Sequence, residues 1–143
     1  MRHVYDKAKF HDETIEQYGL SEEHAANHTV MFLRWLIERE MMSTFFESEA
    51  VDILRQFRAG EASIHEIYEW WDNCLVSDML SDDGNAFALH YFDFDQGRFI
   101  HDYAESLAKG LQTELHVVYT EENYKTMKQI IDRRYDEWSG TKR

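Results

Sequence analysis

Apolar residues recur along most of this chain at helical spacing. In residues 22–41, Ala25, Met31 or Phe32, Trp35 and Leu36 lie one to three turns apart behind Ser21, with Glu22 and Glu23 in the first turn. A hydroxyl cap followed by negative charge favours a helix start, so a helix is predicted over this stretch. A second is predicted from Val51, Ile53, Leu54 and Phe57, led by Ser48 and closed at Gly60, which can take the left-handed conformation past a helix end. Ser63 and Glu66 make a capping box in front of Ile64, Ile67, Trp71 and Leu75. Residues 98–109 carry Phe99, Tyr103 and Leu107 on one side, with Gly110 just beyond. Thr120 heads a terminal helix whose seam is Tyr124, Met127, Ile131, Tyr135 and Trp138.

Two stretches fit the helical period less well. The β-branched run ELHVVY, residues 114–119, predicts a strand. Residues 86–92 suit helix or strand, because Phe87, Leu89 and Tyr91 also alternate. The expected fold is therefore mainly α: a single domain over residues 1–143, with five or six helices and at most a short strand or hairpin. The alternative is α+β, with residues 86–94 paired against 115–119. At 143 residues and 43% hydrophobic content the chain suffices for one core, and it has no proline, linker or repeat to divide it.

Charge narrows the function. A formal net charge of -13 opposes binding to nucleic acid or anionic lipid. No apolar run approaches the roughly 20 residues that span a bilayer, and the N-terminal stretch has no secretory pattern, so a cytoplasmic location is expected. The charge is concentrated: residues 61–105 hold eleven acidic residues and one basic residue, Arg98, interleaved with nine of the 21 aromatics. Rings ringed by carboxylates suit the capture of a basic protein surface. The candidate contacts are Trp70, Asp72, Asp78, Asp82, Asp83, Tyr91, Asp93 and Asp95. Adjacent Trp70 and Trp71 differ by about 100° on a helix, which favours one indole being open to a partner.

Motifs for chemistry are sparse. HAANH places His24 and His28 at i, i+4, the ligand spacing of a zincin helix, but has alanine where the glutamate base belongs. The pair is an alternative metal half-site, to be completed by His65, His90, His101 or Glu23; His3 and His11 read as part of an irregular opening. The preferred expectation is no metal, no cofactor and no catalytic residue, with His28 packing or hydrogen-bonding at the edge of the core. Asp93-Phe94-Asp95-Gln96-Gly97 puts glycine one position too early for a calcium loop and reads as a turn. The single cysteine, Cys74, allows no internal disulfide.

The blocks YDKAKFH, NHTVMFLRWLIERE, LSDDGNAFALHYF, FIHDY and VYTEENYKTMKQIIDRRYDEW resemble an uncharacterised bacterial family of small, acidic, single-domain proteins, over residues 5–138. The chain departs from it in lacking a proline-containing segment after the first block. By class, such proteins resemble the immunity proteins of polymorphic or contact-delivered toxin systems. The resemblance implies a cytoplasmic binding protein that occludes a cognate toxin or effector domain. The competing expectations are a metal-binding helical protein or metal-dependent enzyme using His24 and His28, and a non-catalytic regulatory module, including a homodimer built on the same aromatic face.

Overall fold

The helix that begins at Asn27 is buried on almost every side. In this computed structural model, which describes residues 2–141, ten of the twelve residues of that helix (Asn27–Glu38) are shielded from solvent. A helix apolar all round must be surrounded. Before it come a strand, β1 (Val4–Lys7), a 3-10 turn (Ala8–His11), α1 (Asp12–Tyr18) and a second 3-10 turn (Glu22–Ala25). The buried helix is therefore α2. After it follow α3 (Thr44–Glu49), α4 (Val51–Arg58), α5 (Ile64–Trp70), β2 (Cys74–Val76), α6 (Asp82–Tyr91), α7 (Phe99–Leu107) and α8 (Glu121–Thr141). The protein is thus mainly α with one small two-stranded sheet.

Two of the signalled helices start at serine caps, whereas Ser21 makes no side-chain cap and leads into a 3-10 turn. Ser63 accepts from the Glu66 amide at the start of α5, and Ser81 does the same for Gly84 at the start of α6. Helix α6 is long enough to exclude the strand alternative for its residues. The helix around Val51 is preceded by a separate one, α3, capped by Ser43, so Ser48 is not the cap expected of it.

The core is aromatic. Phe32 of α2 stacks on Phe92 at 4.7 Å between ring centres and meets Phe99 at 5.7 Å, while Trp35 meets Phe87 at 5.3 Å. Each such ring contributes about 1.5–3 kcal/mol through burial. Helix α8 closes this core with Tyr124, Met127 and Ile131. Polar clips fix it in register: Trp35 donates Nε1–H to Asp132 at 2.8 Å, and Arg134 makes a bidentate pair with Asp102 at 2.9 and 3.0 Å.

The sheet lies away from the predicted strand. β1 runs antiparallel to β2, pairing Val4 with Val76, Asp6 with Leu75 and Lys7 with Cys74, with an irregularity at Tyr5. Residues 114–119 instead form a 3-10 turn (Glu114–His116) and an extended run. Their carbonyls are taken by side chains of the α2 region: Leu115 accepts from His24 Nδ1 at 2.7 Å and Val117 from Asn27 Nδ2 at 3.0 Å. With those acceptors filled laterally, a ladder is not needed to satisfy the backbone.

Candidate functional site

The surface expected to meet a partner is organised around the end of α5. That helix stops at Trp70, and Asp72 and Asn73 then take left-handed backbone conformations, with φ of 64° and 54°. Asp and Asn tolerate that region better than other residues with a side chain. The turn lets the chain enter β2 directly, and it leaves the two indoles in different environments. Trp71 packs on Phe46 at 4.8 Å, whereas Trp70 lies against Trp71 at 5.4 Å and is 50% exposed. Phe45, 51% exposed, meets Trp71 edge-on at 5.9 Å. Phe45, Trp71 and Trp70 therefore make a continuous ring surface. Phe45 was not legible as part of it, although Phe45-Phe46 poses the same adjacent-ring problem as Trp70-Trp71.

A cleft of about 600 Å³ is lined by Glu69 and Asp72, the residues that flank Trp70 and Trp71 in the chain. Its walls carry five carboxylates, Asp12, Glu22, Glu23, Glu69 and Asp72, against two lysines, Lys7 and Lys9. His65 also lines it and donates to Asn27 Oδ1 at 2.8 Å. Burial lowers the His65 pKa despite the nearby charges of Glu23 and Glu69, so this imidazole does not offset the negative walls at neutral pH.

The other expected contacts separate. Asp78 is held by Arg2, whose Nε–H donates to it at 2.9 Å. Asp82 and Asp83 stand exposed in the first turn of α6, where negative charge complements the helix dipole. Asp93 accepts from the Gln96 amide in the turn after α6, and Asp95 is exposed in the same turn. Tyr91 is a correction: it is 2% exposed and donates its hydroxyl to Asp102 at 2.8 Å, so it is a core residue. The helical period of α6 carries Phe87, Ala88 and Tyr91 inward together.

The two histidines of HAANH also separate. Residues 22–25 are 3-10 and the α-helix starts only at Asn27, so the i, i+4 geometry of one continuous helix does not hold between them. His24 turns to the Leu115 carbonyl. His28, 1% exposed, turns inward to a group that sequence spacing did not assemble: Asp6 of β1 and His11 of the first 3-10 turn. His11 thus belongs to more than an irregular opening.

Asp6 is completely buried. The irregularity in β1 leaves both Tyr5 and Asp6 buried, where a regular strand alternates its side chains between faces. Asp6 Oδ1 accepts from His11 Nε2 at 2.9 Å, Oδ2 accepts from Thr29 Oγ1 at 2.5 Å, and His28 Nε2 lies 3.1 Å from Oδ2. Burial alone would raise the Asp6 carboxyl, but His11 and His28 outweigh it and hold the group well below the usual carboxylate range. The imidazole rings of His11 and His28 meet edge-on at 4.8 Å, and Phe94 lies 6.4 and 6.0 Å from them. The Tyr68 phenol is pushed up by burial and then by the charge of Asp6.

Among the described residues no helix is long and apolar enough to cross a membrane. Comparison with curated proteins and with solved structures returns no match. Residues 4–117, a span that includes Asp6, His11, His28 and the whole Trp70 turn, match a family described as a domain of unknown function, and the chain belongs to that family, DUF7832.

Proposed function

We propose that the chain is a protein-binding module that engages a basic protein surface. The observation that carries this reading is the junction of an exposed ring surface, Phe45, Trp71 and Trp70, with a cleft whose walls are predominantly carboxylate. Half-exposed aromatic rings are suited to act as buried anchors on binding. The cleft beside them accepts a lysine or arginine side chain, with the surrounding negative charge accelerating encounter. The class resemblance gives the biological form: an immunity-type protein that occludes a cognate toxin or effector domain in the producing cell.

The test is co-expression with neighbouring genes of the producing genome, identification of any basic protein that co-purifies, and titration of the two purified partners. Trp70→Ala is expected to weaken the complex by at least about 2 kcal/mol, roughly 30-fold, as loss of a central anchor does. Asp72→Lys is expected to slow association and reduce its dependence on salt. A complex that forms with unchanged affinity in both variants defeats the reading. A homodimer that dissociates on Trp70→Ala would assign the ring surface to self-association instead.

A further inference from the structure

The cluster beneath the N-terminal strand is independent of that surface reading and carries an inference of its own. Asp6, His11 and His28 come from three elements, β1, the 3-10 turn after it and the first turn of α2. One ligand-type atom from each lies within 4.8 Å of the others. Around a first-row divalent ion with bonds of about 2.0–2.2 Å, neighbouring ligand atoms stand about 3.0–3.5 Å apart. The two contacts of Asp6, 2.9 Å from Oδ1 to His11 and 3.1 Å from Oδ2 to His28, lie close to that spacing, and the widest separation in the group, within 4.8 Å, contracts when the side chains close on an ion.

A plain buried ion pair accounts for only part of this arrangement. His11 donates to Asp6 as an ion pair requires. His28 does not: its Nε2 is close to Oδ2 but not in hydrogen-bonding direction, and its Nδ1 has no partner among the described residues. The hydroxyl of Tyr103, whose ring is 6.2 Å from His28, is likewise buried without a partner among the described residues. A buried polar atom left unsatisfied costs about 1–3 kcal/mol, and an ion bound by His28 would satisfy one of its ring nitrogens.

We propose that Asp6, His11 and His28 bind one divalent first-row transition metal ion through two imidazoles and one carboxylate, the ion displacing to solvent the proton that His11 Nε2 shares with Asp6. That donor set suits Zn²⁺ or Fe²⁺, whereas Mg²⁺ and Ca²⁺ favour all-oxygen sites. Thr29, donating to Oδ2, orients the carboxylate as outer-sphere partners of metal ligands do. His11, whose side chain is 19% exposed, is the most accessible member of the group. Three protein ligands leave further coordination positions for water or a small ligand.

The experiment uses the full chain without a histidine tag, stripped with chelator and then titrated calorimetrically with Zn²⁺ and, anaerobically, with Fe²⁺. Co²⁺ absorption reports the ligand set. One equivalent of ion is expected, with a raised melting temperature. His11→Gln should lower affinity by at least about 100-fold and Thr29→Val by about 10-fold, with helical circular dichroism unchanged. The two titrations decide which ion is held more tightly. Clearly substoichiometric binding of both ions overturns the proposal. So does stoichiometric binding that neither His11→Gln nor Thr29→Val weakens, since the ion would then sit on other histidines. Thr29→Val keeps the test decisive if His11→Gln does not fold.

Discussion

The Asp6 cluster and the Trp70 surface invert each other. One hides a carboxylate and an imidazole in the interior, and the other leaves an indole and a phenyl ring half in water. Both go against the direction in which burial stabilises a fold, since charge loses hydration inside and apolar surface gains nothing outside. The comparison teaches that they fail differently. The buried carboxylate is tied into the structure by three side chains, His11, His28 and Thr29, so removing it should cost stability. The ring surface rests on the fold from outside, so altering it should leave stability almost untouched.

Asp6→Ala is the most direct way to break this contrast. It leaves His11, His28 and Thr29 facing a lost carboxylate, and should cost about 3–5 kcal/mol in chemical denaturation, the range for opening a buried ion pair. A loss below about 1 kcal/mol would mean that the cluster does not hold the fold. Arg134→Leu should cost less, about 1–3 kcal/mol, by leaving Asp102 without its bidentate partner. Burial would raise the Asp102 pKa, but the hydrogen bonds from Arg134 and Tyr91 lower it. The stabilisation is therefore full above the unfolded aspartate pKa of about 3.9 and is lost as pH falls toward the lower folded value. Denaturation midpoints of wild type and Arg134→Leu should differ most at neutral pH and draw together as pH falls below the unfolded aspartate value of about 3.9. Trp70→Ala should change stability by no more than about 0.5 kcal/mol, as exposed substitutions do. A cost near 2 kcal/mol in its thermal melt would make Trp70 a structural residue and remove the contrast.

Sequence made the helical parts legible where local chemistry decides them. The Ser63 cap starts α5, Gly110 follows α7 with φ of 83°, and the Tyr124–Met127–Ile131 seam of α8 lies in the core. The sheet was not legible, because β1 and β2 pair residues some seventy positions apart and β2 is only three residues long. ELHVVY shows the converse: β-branched residues make an extended run, but pairing depends on where acceptors go, and His24 and Asn27 take them. At the candidate sites, Trp70 was readable from its neighbour Trp71, since adjacent rings rarely share one face. Asp6 was not readable, because a carboxylate in VYDK carries no sign that a strand irregularity will bury it. His28 was half readable: its place near the core was visible, whereas its partners arrive from another part of the chain.

The enclosure of α2 also sets a clock. An amide in a helix surrounded on all sides meets solvent only when its neighbours separate, so the hydrogens of residues 30–36 should exchange with heavy water at the rate of global opening. Those of α5, seven residues long and ending at the exposed Trp70, should exchange through smaller openings and therefore sooner. His28 rides on the slow element and Trp70 on the fast one. A native-state exchange experiment would then resolve, in one time course, a part of the molecule that keeps its shape until it unfolds and a part able to yield beforehand.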